Sequence, residues 1–326
     1  MRVITYIQAI REALQEEMER DDRVFVLGED VRVGVMGATR GLYERFGGGR
    51  VINTPISEAG FCGVGIGAAL VGKRPVVEIM YSNFMYLAFE QIINQAAKMR
   101  YMFGGQAQVP IVFRTVTGAR GSGAGHHSDT VYPHLLSTPG LIQIYPSNPR
   151  EAKGLLKSAI RNDNPVIFYE GATLLGARGP VPEGEYVIPI GKAEVKREGA
   201  EVTVVGVGTT VNLALSVAEK LAGEVSVEVI DPRTLVPLDM DTIMASVNKT
   251  GRLVVVEDVP PVGGLGSEII ARLMEKGQQN LPPRFKRVTR PNAHVPFSPP
   301  LEKHMLPNEG RLVAAIRGVM GRTDRP

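Results

Sequence analysis

VINTPISEAGFCGVGIGAALVGKRPVVEIM, residues 51–80, is the stretch whose reading decides the fold. Val51–Ile52 is a short apolar run. A helix opens near Glu58, and Pro75–Ile79 is an apolar strand. Strand, helix and strand in about thirty residues make one parallel crossover unit. The helix is built of small residues, with Gly60, Gly63 and Gly67 on one face, so another backbone can approach closely there. A subunit contact is the natural use of such a face. The most apolar part, Ala59–Val71, is too short to cross a bilayer, which takes about 20 residues.

The same alternation extends outward. Thr5 caps a helix running to Arg20, with Ile7, Ile10, Leu14 and Met18 on one face. Val24–Leu27 reads as a strand. Beyond the opening unit come a long helix over Tyr86–Met102 and a strand over Val109–Val116. A glycine-rich loop follows, from Thr117 to His127. Leu141–Tyr145, the helix Arg150–Arg161 and the strand Pro165–Tyr169 complete the first half. Short, largely unbroken apolar strands suit a parallel sheet covered by helices on both faces. Residues 171–190 lose the periodicity and read as a linker. The pattern restarts with strands at Val202–Val205, Val225–Ile230 and Leu253–Val256, and helices at Thr210–Leu221 and Leu265–Met274. The Pro-rich stretch Arg290–Pro307 precedes a last helix over Glu309–Val319. The reading is α/β, two doubly wound domains: residues 1–180, a linker over 181–195, and residues 196–326.

Composition narrows the function classes. At 326 residues, 44% hydrophobic and 22% charged, the chain has material for two ordinary cores. A net charge of +3 without a basic block argues against nucleic acid. The single cysteine, Cys62, cannot form an internal disulfide and suits a reducing compartment. The first twenty residues carry Glu12, Glu16, Glu17 and Glu19, unlike a signal or transit peptide. The expectation is a cytoplasmic protein with no membrane partner.

Ligands of open α/β sheets bind where strands end and helices begin. Three such places stand out. Glu58 opens the glycine-rich helix, either as a complement to the helix dipole or as a ligand group. TGARGSGAGHHSD, residues 117–129, is a mobile loop ending in adjacent histidines, which are suited to proton exchange. MYSNFMYLAFEQ, residues 80–91, offers aromatics for a flat ring or for the core. A fourth place, Gly206-x-Gly208 with Asp231 further on, is nearly a dinucleotide fingerprint but has Val211 where the third glycine belongs. An NAD-dependent dehydrogenase is the alternative of another class.

LGEDV (27–31), NTPISEAGFCGVGIGAA (53–69), EQIINQAAKMRYMFGG (90–105), GHHSD (125–129), PGLIQIYPSNPREAKGLLKSAIRNDNPVIFYE (139–170) and EVIDPRTLVPLD (228–239) occur in that order. Together they resemble the beta subunit of the decarboxylating first component of pyruvate and branched-chain 2-oxo acid dehydrogenases. The acetoin dehydrogenase beta subunit is similar too. The resemblance covers nearly the whole chain. It implies a pyrimidine-binding domain of thiamine enzymes followed by a transketolase C-terminal-like domain. It also implies oxidative decarboxylation of a 2-oxo acid with thiamine diphosphate, then reductive acyl transfer to the lipoyl group of an acyltransferase component.

By resemblance, Glu58 hydrogen-bonds the aminopyrimidine and promotes its imino tautomer. Glu29 is a second acid near the cofactor, and Phe84 packs on the aminopyrimidine. His127 serves acyl transfer. Some relatives hold a monovalent cation, K+, at positions matching Ile111, Ala159, Ile160, Asn162 and Asn164. The Gly-Asp-Gly segment that holds Mg2+ and the diphosphate does not occur here. The resemblance assigns it to an alpha subunit, in an alpha2-beta2 heterotetramer. The sequence departs from the family pattern at Asp129, where relatives have Gln. It departs also at Ser137, where they have His, and around Asn292 and His294.

Overall fold

Valine-rich runs become parallel strands because β-branched side chains pack well on a pleated surface covered from both sides. The computed structural model describes residues 1–276 and 284–321. They form two units, residues 1–117 with 135–190, and residues 118–134 with 191–326. Residues 181–190 of the expected linker go with the first unit and 191–195 with the second. Residues 277–283 and 322–326 of the expected second domain lie outside the described residues.

The first unit runs β1 (Arg2–Thr5), α1 (Tyr6–Arg20), β2 (Val24–Glu29), α2 (Leu42–Phe46), β3 (Val51–Thr54), α3 (Glu58–Leu70), β4 (Arg74–Tyr81), α4 (Ala97–Met102) and β5 (Val112–Thr117). The glycine-rich loop follows, with the short helices α5 (Ala124–His127) and α6 (Tyr132–Leu135). Then come β6 (Ile142–Ile144), α7 (Pro149–Arg161), β7 (Val166–Gly171) and β8 (Arg178–Val181). Six strands of this unit lie parallel in the order β3-β2-β4-β5-β7-β6. Val26, Val76, Val112 and Val166 meet α1 and α7 on one face. Their neighbours Leu27 and Val77 point the other way, under α3. Thr5 caps α1 in a capping box with Gln8. Buried Lys153 and Lys157 of α7 each donate to Glu16 of α1 at 2.6 Å, so the two helices dock with their charges paired.

Two expectations are corrected. Residues 178–181, read as linker, form β8, which pairs antiparallel with β1, Arg2 opposite Val181. Gly179 and Pro180 hide the strand pattern, yet a two-stranded edge ribbon tolerates both. The single helix expected over Tyr86–Met102 is a 3-10 turn over Ser82–Ala88, a π-helical segment over Glu90–Ala96 and then α4. Apolar spacing over seven residues does not separate these helix types, and π segments concentrate at functional sites.

Gly28 sits inside β2 at φ +151°, and a Cβ there would lie 2.5 Å from the carbonyl oxygen of Glu78 on β4. Gly28→Ala should therefore lower stability by about 2–4 kcal/mol through strain and overpacking. Urea unfolding of the variant checks this. A midpoint equal to wild type would mean that the two strands separate without cost.

The second unit has β9 (Glu194–Arg197), β10 (Val202–Gly206), α8 (Thr210–Lys220), β11 (Val227–Asp231), β12 (Thr234–Val236), α9 (Met240–Thr250), β13 (Leu253–Val256), α10 (Leu265–Glu275), β14 (Phe285–Val288), α11 (Pro299–Met305) and α12 (Glu309–Val319). Its sheet order is β14-β13-β10-β11-β9, parallel except for β9. Val202, Val204, Val254 and Val256 pack under α8 and α12. On the other face Thr203 Oγ1 lies 2.6 Å from Ser246 Oγ of α9. Both units are thus doubly wound, as the alternation of elements predicts.

Candidate functional site

From β2 the chain moves outward to β3, then returns to the other side of β2 to form β4. Loops leaving β2 and β4 therefore diverge, and a crevice opens at the carboxyl ends of these strands. Glu29 is the last residue of β2 and is paired in register with Thr54, the last residue of β3. Glu58 opens α3 four residues further on. Phe84 lies in the 3-10 turn directly after β4, edge-on to Tyr81 with ring centroids 5.7 Å apart. The fold thus gathers Glu29, Glu58 and Phe84 on three adjacent strand ends.

The Glu58 carboxylate is buried at 5% exposure, and no hydrogen-bond or ion-pair partner for it is present among the described residues. Thr54 Oγ1 at the end of β3 is buried without a hydrogen-bond partner, as is Gln91 Oε1 in the π segment, whereas the Glu58 oxygens keep some access to solvent. Buried polar atoms are normally paired, so unpaired ones at a strand-end crevice fit a ligand that supplies the missing groups. Burial pushes the Glu29 carboxyl above the usual range, and the charges of Asp30 and Glu58 push it further. Burial, with Glu58 nearby, likewise pushes the free Cys62 thiol up, leaving it unreactive.

His127 closes α5, within the loop that clusters with the second unit, and its side chain is exposed on the isolated chain, as is that of His126. The five residues expected to hold a cation do come together in the first unit. Their oxygens already accept protein donors. Arg74 Nη1 donates to the carbonyls of Ile160 at 3.0 Å and Asn162 at 3.1 Å. Asn162 Oδ1 accepts from the Asn164 backbone at 2.9 Å, and Asn164 Oδ1 accepts from Arg100 at 2.9 Å. The carbonyls of Ala159 and Ile111 accept from the backbones of Asn162 and Val166. A monovalent cation would have to share these oxygens with a guanidinium, so the arrangement does not frame a free cage. In the second unit Asp231, the acid of the near-fingerprint, is fully buried and accepts from the Arg233 backbone at 2.9 Å. It faces inward and does not offer itself to a ribose.

Comparison with known proteins gives the family. Residues 2–177 match the transketolase pyrimidine binding domain, and residues 191–312 the transketolase C-terminal domain. The chain is 44% identical to the beta subunit of acetoin:2,6-dichlorophenolindophenol oxidoreductase from Bacillus subtilis, over 98% of both chains. It is 44% identical to the 2-oxoisovalerate dehydrogenase beta subunit of the same organism, over 97% of this chain and 98% of that one. It is 45% identical to the pyruvate dehydrogenase E1 component beta subunit of Rickettsia felis, over the same shares.

The chain belongs to the family of beta subunits of 2-oxo acid dehydrogenase first (E1) components.

A split-gene transketolase, an inactive beta4 tetramer, shares the fold with a TM-score of 0.82 at 23% identity, over 98% of this chain and 99% of that one. In this E1 beta chain no helix among the described residues is long and apolar enough to cross a membrane. Thr54, Gln91 and the π segment escaped sequence reasoning. Only the position of Thr54 at the end of a predicted apolar run could have flagged it.

Proposed function

We propose that this chain works with an alpha subunit and thiamine diphosphate to decarboxylate a 2-oxo acid and pass the acyl group to the lipoyl arm of an acyltransferase. The observation that carries the reading is the buried, unpartnered Glu58 carboxylate at the switch point, beside Glu29 and Phe84. When bound, thiamine diphosphate supplies a nucleophilic carbon and an electron sink for loss of carbon dioxide. Glu58 would hold the aminopyrimidine and exchange its proton, because a carboxylate in a mostly buried residue with no partner in the chain gains from such a donor. Phe84 would pack on the ring, and Glu29 would add an acidic group whose affinity for its proton is raised by burial and by the charges of Asp30 and Glu58. His127 would serve proton transfer during acylation of the lipoyl group. Mg2+ would be held mainly by the alpha subunit. K+ is left out of the proposal, since Arg74 already faces those carbonyls.

The test is an assay of the chain co-expressed with its alpha subunit. Reduction of an artificial acceptor is followed with pyruvate, branched 2-oxo acids and acetoin, with and without thiamine diphosphate and Mg2+. Cofactor-dependent turnover supports the proposal, and the preferred substrate names the enzyme. The relatives of all three substrate classes are about equally similar, so only the assay ranks them. No cofactor-dependent turnover with any substrate would sink it.

The open face of α3 supports the partner part of the reading. A Cβ on Gly67 would meet nothing within 4 Å, and Ile56, Val64 and Val71 nearby are 73%, 62% and 82% exposed. Apolar surface of this kind marks an interaction site. Gly67→Leu should stabilise the isolated chain slightly, because leucine favours a helix over glycine by up to about 1 kcal/mol. The same variant should prevent assembly. Sedimentation velocity of the co-expressed chains checks this, and wild-type assembly of the variant would remove α3 from the interface.

A further inference from the structure

The loop that carries His127 is held by groups far along the chain. The N–H groups of Gly121 and Ser122 donate to Glu302 Oε1 and Oε2 at 3.2 and 2.9 Å. Glu302 lies on α11 and is itself buried. Both donors have positive φ, +64° and +67°, and Ala124 follows at +52°. Such a backbone is strained for serine and alanine and persists only when its surroundings fix it. Neighbouring N–H groups turned onto one carboxylate supply charge-assisted bonds that offset the strain.

A second anchor lies at the neck of the loop. Arg290, 2% exposed, places Nε 3.1 Å from Asp258 Oδ1 and Nη1 3.6 Å from Asp129 Oδ1. Ala119 packs against Val295 and Met305. Asp129 thus meets a buried guanidinium, which gives a charge at this position a local partner.

We propose that Glu302 is a positioning residue for acyl transfer: its carboxylate sets the backbone of residues 119–129 and so the placement of His127. The proposal rests on the reading of His127 given above. The Gly121 and Ser122 N–H groups both need an acceptor. A glutamine at 302 offers only one acceptor oxygen and turns its NH2 onto the other donor.

The test uses Glu302→Gln in the complex with the alpha subunit and cofactor, with His127→Ala measured alongside. Amide hydrogen exchange across residues 119–129 should quicken about tenfold or more, as expected when a charged hydrogen bond is lost. The rate of lipoyl-domain acylation relative to artificial-acceptor reduction should fall by about tenfold. Unchanged exchange in the loop, or equal loss in both assays, overturns the proposal. If His127→Ala leaves acylation intact while Glu302→Gln slows it and loosens the loop, the role of His127 fails and the positioning role of Glu302 stands. Should Glu302→Gln fail to assemble, Glu302→Asp, which keeps the charge but shortens the reach, is judged by the same readouts.

Discussion

Glu58→Ala is expected to lower turnover by about 100- to 10,000-fold, the range for loss of a positioned proton-transfer group. The expected effect on folding is small. Glu58 makes no hydrogen bond or ion pair among the described residues, so its removal breaks none. Its favourable interaction with the N-terminus of α3 contributes only about 0.3–1 kcal/mol. The folded chain should therefore stay within about 1 kcal/mol of wild type. The pair of measurements is turnover of the assembled enzyme and urea unfolding of the same preparation. Glu58→Gln separates charge from shape, because the amide fills the same volume but cannot hold the proton. Turnover of Glu58→Gln within about threefold of wild type would remove the proton-exchange role. A large loss of stability in Glu58→Ala would instead make Glu58 a structural residue.

His127→Ala is the second large effect. Transfer to a lipoyl domain should fall by about 100-fold, the lower end for a general acid or base, whereas artificial-acceptor reduction should fall much less. The split follows from position. The His127 side chain is exposed on a loop separate in the chain from the strand ends that carry Glu29, Glu58 and Phe84. On the proposed role of His127, a small acceptor needs only the decarboxylation step, while the lipoyl group needs the loop as well. Binding of thiamine diphosphate, titrated by calorimetry, should stay near wild type. Equal loss of both rates and of cofactor binding would mean that the loop merely supports the fold.

Much of the fold is legible in the sequence because its strands are largely unbroken apolar runs. Val24–Leu27 and Leu253–Val256 are too short for a helix, and Pro75–Ile79 is broken only by Glu78. The pairing of β1 with β8 is hidden because it joins the chain's first residues to a Gly-Pro stretch with no periodicity. The loop 118–134 interrupts the first unit in sequence yet clusters with the second. No local pattern encodes that, since its anchors Asp258, Arg290 and Glu302 lie more than a hundred residues later. Within the site, Glu58 is legible as an acid at a helix start, but its lack of a partner is a property of the folded crevice. The oxygens of Ile160 and Asn162 are likewise visible only once β4 brings Arg74 beside them.

The bonds from Gly121 and Ser122 to Glu302 also order events during synthesis. They close a chain segment of about 180 residues, so their ordering entropy is offset only after α11 has left the ribosome. The first unit can form its parallel sheet by residue 190. The histidine loop must wait for nearly the whole chain. A truncated or stalled product would therefore carry a formed crevice without a set histidine loop, and the two would mature at different times.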